Sequence, residues 1–181
     1  MITKLRSTIL VAAMFLLAAC PYDSKVELNT YEESLPIEKK YYGNYTVVNE
    51  DGSKEEIEIT KGESKFYNIR HNSIDEDGKK LEYQYYRGYV TEIKGVQIVN
   101  VEKKDGNYNF YKFNLKSDNE LVLIAIEDEF MKENYPGYKQ PKTAELRAFI
   151  ESNMENAKMF DAPLNFARDA EVGGKKKKKK K

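Results

Sequence analysis

The 181-residue sequence has one Cys, one His and no Trp, and each scarcity removes a class of chemistry. A single Cys excludes a disulfide within the chain. With so little sulfur and imidazole, a zinc site of three or four such ligands cannot be assembled, and carboxylates alone remain. His71 has no Gly-x-Ser-x-Gly elbow to serve, so a hydrolytic triad has no sequence support. The ten glycines fall nearly one to a turn, and none of them builds a phosphate-cradling loop. Asp75-Glu76-Asp77-Gly78 imitates part of a calcium loop. Aligning Gly78 at the sixth position, however, puts Ser73 first and Gln84 twelfth, so the run reads as a solvated turn. The expectation is a protein without metal or cofactor, and not an enzyme.

Long apolar runs are also scarce, and the main one stands at the N-terminus. Lys4 and Arg6 precede the apolar stretch Thr8–Leu17, which is too short for a permanent bilayer helix of ~20 residues. Small residues then lead into Leu17-Ala18-Ala19-Cys20. This order is that of an export signal covering residues 1–19. The tetrad resembles the lipobox of bacterial lipoproteins. The resemblance implies cleavage between Ala19 and Cys20, a diacylglycerol thioether on Cys20 and acylation of the new amino terminus. It also accounts for an odd Cys in an exported chain. Two or three acyl chains, at ~0.8 kcal/mol per buried methylene, make a stable anchor where one is marginal. The expected partner of the N-terminus is thus a membrane, and the expected location is the cell envelope. Pro21 is not the Asp associated with inner-membrane retention, so the resemblance allows outer-membrane sorting, with periplasmic face and cell surface both open.

Formal neutrality conceals an acidic body. Two of the thirty Lys and Arg precede Cys20 and seven form Lys175–Lys181, while all thirty acids lie between, leaving that body at −9. Such a charge argues against a nucleic-acid partner. Residues 169–181, ending in seven lysines, read as a disordered tail.

Residues 20–36 are polar and aperiodic, and are expected to form the lipidated Cys and a tether that includes a short strand at Lys25–Leu28; the alternative is that the segment is part of the domain itself. Residues 37–168 read as one β-rich domain. Short runs such as Glu55–Thr60, alternating Ile57 and Ile59 with Glu56 and Glu58, are separated by turns such as Asp105-Gly106. About seven strands on short connections predict an antiparallel meander. None of the five prolines falls inside a proposed strand. Lys80–Val90 is expected as a strand with Leu81, Tyr83 and Tyr85 on one face, and Leu121–Ile126 as a strand covered on both faces. A helix is predicted over about residues 143–160, capped by Thr143, with Leu146, Phe149, Ile150 and Met154 facing the sheet. Leu164 and Phe166 follow as a last strand or packed arm. The fold class is mainly β: a small barrel, or a curved sheet or sandwich, with a C-terminal helix against it.

Strands followed by a helix resemble lipocalin-like domains of exported lipoproteins. The departure is at the Gly-x-Trp signature of lipocalins, where Gly43-Asn44-Tyr45 stands here, and no binding residue is carried over. Three functions follow in order: a membrane-tethered binding or protein-interaction module, a carrier of a small apolar ligand, and an envelope hydrolase. An interior filled by Tyr, Phe and Ile favours the first, an empty one the second, and acids gathered with His71 or a Ser in a cleft the third. Tyr83, Tyr85, Tyr108 and Tyr111 are the candidate ligand or partner surface, since Tyr joins an apolar body to a polar tip. They equally suit ordinary strand positions, because Tyr is a good β-former.

Overall fold

A computed structural model describes residues 21–169. The signal segment, Cys20 and the lysine run lie outside the described residues. The architecture is a closed antiparallel barrel of eight strands: β1 Gly43–Val48, β2 Lys54–Lys61, β3 Tyr67–Ile74, β4 Gln84–Ile93, β5 Val96–Glu102, β6 Tyr108–Ser117, β7 Glu120–Ala125 and β8 Leu164–Arg168. Each strand pairs with the next, and β8 returns to β1 through Tyr45↔Arg168 and Thr46↔Ala167. Closure leaves no open edge for intermolecular pairing. The turn chemistry acts as expected: Gly106 at φ +83° closes the β5–β6 hairpin with its N–H on the Lys103 carbonyl at 3.0 Å.

Two helices, α1 Asp128–Asn134 and α2 Thr143–Asn153, lie between β7 and β8. Leu164 and Phe166 are indeed on a last strand, β8, which completes the barrel. The predicted helix ends earlier than residue 160. It stops at Asn153, and only a 3-10 turn follows at Ala157–Met159. Its N-cap is Lys142, without a side-chain cap, and Thr143 is the first helical residue. The helix α1 was not foreseen, although its N-cap is well made. Glu127 accepts from the amides of Glu129 and Phe130.

Two apolar clusters sit on opposite sides of one sheet wall. Inside the barrel are Tyr41, Tyr45, Ile59, Tyr67, Phe113, Leu121 and Phe166. Outside it, Ile93 of β4, Ile98 of β5 and Phe110 of β6 are covered by Phe130, Met131, Leu146 and Ile150 of the helices. The strands buried on both faces are therefore β4, where Gly88 to Thr91 are all buried, and β5, where Ile98, Val99 and Asn100 are. They do not include β7, whose Val122, Leu123, Ile124 and Ala125 are only partly buried. The reason is tertiary: the helices are packed over β4–β6, and so β7 receives less cover.

Residues 21–36 are not a tether. They form a strap that runs down the outside of the barrel. Tyr22 and Leu28 join the outer cluster, and Ser24, Asn29 and Ser34 are buried. No strand forms at Lys25–Leu28; isolated bridges at Pro21↔Glu127 and Ser24↔Tyr108 hold the chain instead. The strap's polar composition is satisfied by a buried network. The Leu28 amide donates to Asn100 Oδ1 at 3.0 Å, Asn100 Nδ2 donates to Thr91 Oγ1 at 2.8 Å, and Thr91 bonds Asn29. Polar groups with internal partners can be buried at little cost, which is why a solvated reading of this segment fails.

The two ends of the barrel differ. At the end that carries the start of β1, the end of β4 and the start of β5, a 3-10 turn at Lys39–Tyr41 inserts Tyr41 as a plug. Tyr41 donates to Gln97 at 2.7 Å, its carbonyl accepts from Tyr45 Oη at 2.9 Å, and the Glu38 amide donates to Tyr67 Oη at 2.7 Å. Burial pushes the Tyr41 and Tyr67 phenols up to about 12, so they act as neutral partners here. At the other end the inward-facing residues Val47, Val101, Tyr111 and Leu123 are only partly buried. These are the plugged end and the open end. The described residues begin at the open end, where Pro21 meets Glu127. They end at the plugged end, where the Asp169 amide donates to the Asn44 carbonyl at 2.8 Å.

Candidate functional site

Outward-facing side chains of β2, β3 and the β3–β4 connection form a polar groove of about 250 Å³, lined by Asn44, Glu56, Glu58, Arg70, Lys80 and Tyr83 among others. Register explains the assembly. Glu58 lies opposite Arg70 on β3, and Arg70 lies opposite Tyr85 on β4. Arg70 pairs with Glu58 at 2.8 Å, and its guanidinium lies 4.7 Å from the centre of the Tyr83 ring. Lys80 bonds Glu56 at 3.1 Å, and Asn72 Nδ2 donates to the same carboxylate at 3.3 Å. Partial burial opposes ionisation of Glu56, yet Lys80 and Asn72 hold its carboxyl below the usual range. Glu56 and Glu58 in the groove are thus already matched to cations, Lys80 and Arg70.

The strand expected from Lys80 begins only at Gln84. Residues 80–83 loop over the barrel wall, tied by the Leu81 amide to the Ser73 carbonyl at 2.9 Å. As a result Leu81, Tyr83 and Tyr85 are exposed by 52 %, 38 % and 67 %. Large apolar side chains left in water beside an Arg are the composition of a contact surface.

The four candidate tyrosines are not one surface. Tyr83 and Tyr85 stand together on the outer wall around Arg70. Tyr108 begins β6, two strands away. It packs against Tyr89 in a T-shaped pair at 6.5 Å and exchanges backbone hydrogen bonds with Ser24 of the strap. Tyr111 faces the barrel interior beside Val99, its register partner on β5. The separation follows from strand parity, because residues three apart on one strand face opposite sides. Arg70 was missed, since nothing in the sequence gives the register that sets it opposite Tyr85.

His71 and Ser73 lie at the open end and share one acid. His71 Nε2 and Ser73 Oγ are each 2.6 Å from Glu55 Oε2. In a nucleophilic triad the imidazole stands between hydroxyl and acid so that it can take the hydroxyl proton. Here the carboxylate stands in the middle, and Ser73 spends its proton on Glu55. The arrangement ties β2 to β3 at the rim.

The Asp75–Gly78 turn is closed by its own groups. Gly78 N–H donates to the Asp75 carbonyl at 2.9 Å, and the Lys79 amide donates to Asp75 Oδ1 at 2.8 Å. Among the described residues there is no group of three or more His, Cys, Asp or Glu placed to hold a metal ion. Among the same residues no helix is long and apolar enough to cross a membrane.

Comparison with family models, with curated proteins and with solved structures finds no match to this chain. Fold and site geometry therefore define it as an eight-stranded closed antiparallel barrel with an exposed Tyr–Arg–Tyr patch on one wall.

Proposed function

We propose that this protein is a membrane-tethered, non-catalytic lipoprotein of the cell envelope, anchored through Cys20, whose barrel serves as a protein-interaction module. The observation that carries this reading is where the aromatic side chains lie. The barrel interior is occupied by Tyr41, Tyr45, Tyr67, Phe113 and Phe166, each no more than 3 % exposed, while Tyr83 and Tyr85 are turned to solvent around Arg70. A side-chain-filled barrel has little room for the 300–1,000 Å³ that small-molecule sites typically occupy. Exposed Tyr and Arg, by contrast, are the residues that dominate protein–protein affinity. The lipobox-like Leu17-Ala18-Ala19-Cys20 supports export and anchoring.

The test is photo-crosslinking in intact envelopes with a benzophenone side chain placed at position 85. The expected result is one discrete protein adduct that is lost in the Arg70→Ala background. Absence of any discrete adduct would sink the interaction reading. A second reading is a carrier of a small apolar ligand, favoured by the partly buried Val47, Val101, Tyr111 and Leu123 at the open end. Native mass spectrometry of residues 21–169 tests it: an added mass removed by organic extraction supports the carrier, and a bare mass excludes a tightly held ligand.

A further inference from the structure

The strap fixes where an anchor must sit. Tyr22 is 1 % exposed; its amide donates to the Ile126 carbonyl at 2.8 Å and its carbonyl accepts from Asn109 Nδ2 at 2.9 Å. Two residues on, Ser24 and Tyr108 exchange both backbone hydrogen bonds, at 2.9 and 2.7 Å. The chain is therefore bonded to the open end of the barrel from its first described residues. Consecutive Cα atoms are ~3.8 Å apart, so a group on the residue before Pro21 is held covalently beside that rim.

A second observation points to the same end. The exposed large apolar side chains of the described residues are Val48, Leu81, Tyr83, Tyr85 and Leu164. Val48 ends β1, Leu81 and Tyr83 belong to the β3–β4 connection, Tyr85 is the second residue of β4, and Leu164 begins β8. Strand direction puts all five at or next to the open end. The plugged end, with its turns at residues 62–66, 94–95 and 118–119, carries none of them.

We infer that the open end is a bilayer-facing surface: the anchor on Cys20 holds the apolar rim of Val48, Leu81 and Leu164 against the headgroup layer. This rests on the lipoprotein reading above. The turns at this end, residues 49–53, 75–83 and 103–107, also carry seven acids and four lysines, so the rim rests at the polar surface of the membrane and does not penetrate. Tyr83 and Tyr85 then stand at the depth where amphipathic rings are favoured. A partner of the Tyr83–Arg70–Tyr85 patch is accordingly met in the plane of the membrane.

Spin labels decide the matter. Asp51→Cys in the β1–β2 turn and Asp118→Cys in the β6–β7 turn would each be labelled in the full-length protein isolated from membranes. Each is then reconstituted in phosphatidylethanolamine/phosphatidylglycerol vesicles. Accessibility to a water-soluble nickel chelate is expected to be about threefold or more lower at position 51 than at position 118, as for a site within the headgroup layer. In the Cys20→Ser background the difference should vanish. Intact mass measured on the same preparation separates the two ideas. Lipid on Cys20 with equal accessibility at both labels overturns the inference alone, whereas an unlipidated Cys20 overturns the lipoprotein reading and the inference together.

Discussion

The two ends of this barrel are built from the same strands by opposite means. At the plugged end the rings of Tyr41, Tyr67 and Phe113 pack edge-on or tilted with centres 4.1 to 6.1 Å apart, and the two tyrosine hydroxyls find partners on the backbone or on Gln97. At the open end the inward positions of β2 and β3 are Glu55, His71 and Ser73, which bond to each other and stay within reach of water. One end is held by packing and the other by a polar clasp. Stability belongs to the plugged end, and the surfaces left for contact belong to the open one.

That contrast can be broken deliberately. Phe113→Ala should cost about 4 kcal/mol in urea unfolding, because it removes a ring from the centre of the plug, whereas Val101→Ala on the open side should cost about 1 kcal/mol. Equal losses would mean that both ends are packed alike. Arg168→Ala should cost about 2 kcal/mol. Its guanidinium bonds Tyr45 Oη at 2.5 Å and the Lys40 carbonyl, and lies 5.1 Å from the centre of the Tyr45 ring, at the two-residue seam that closes the barrel. Hydrogen exchange should then accelerate first at β1 and β8, and Arg168→Lys should not restore protection.

Asp161 tests the open end by pH. It follows the Ile126↔Phe160 bridge, with its amide on the Ala125 carbonyl at 3.0 Å. Burial, with the nearby Glu127 carboxylate, pushes its carboxyl up to about 6 from an ordinary 3.8. The folded state therefore favours the protonated acid. That contribution is present in full below pH 3.8 and is lost as the pH rises through about 6. Asp161→Asn should gain on the order of 1 kcal/mol at pH 7.5 after allowing for solvent screening, and nothing at pH 3.5. A constant difference across that range would remove the electrostatic account. Smallest of all, Tyr85→Ala should change stability by less than about 0.5 kcal/mol, since the ring is exposed. Any larger loss in thermal melting would show that Tyr85 serves the barrel more than a partner.

Much of the barrel was legible because strands announce themselves locally. Ile57 and Ile59 alternate with acids and do face inward, and Asp105-Gly106 does turn a hairpin. The strap was misread because its polar residues look solvated until their partners are known: Asn29 meets Thr91 and the Leu28 amide meets Asn100, both far along the chain, while the Ser24 and Ser34 hydroxyls bond Val26 and Tyr31 within the strap itself. The four candidate tyrosines divide into two placements. Tyr83 in the β3–β4 connection and Tyr85 in β4 both neighbour Arg70, while Tyr108 and Tyr111 differ in strand parity and are parted by the wall between them.

Sequence alone determined the strand periods, the turns, the acidic body and the lipobox-like segment, because each of these is a matter of neighbours along the chain. Tertiary structure decided that the meander closes, that Tyr41 plugs one end, that β4 and β5 and not β7 are covered on both faces, and that Arg70 meets Tyr83. Those outcomes depend on register and on which element packs over which wall, and both are fixed only when distant segments bury one another's surfaces.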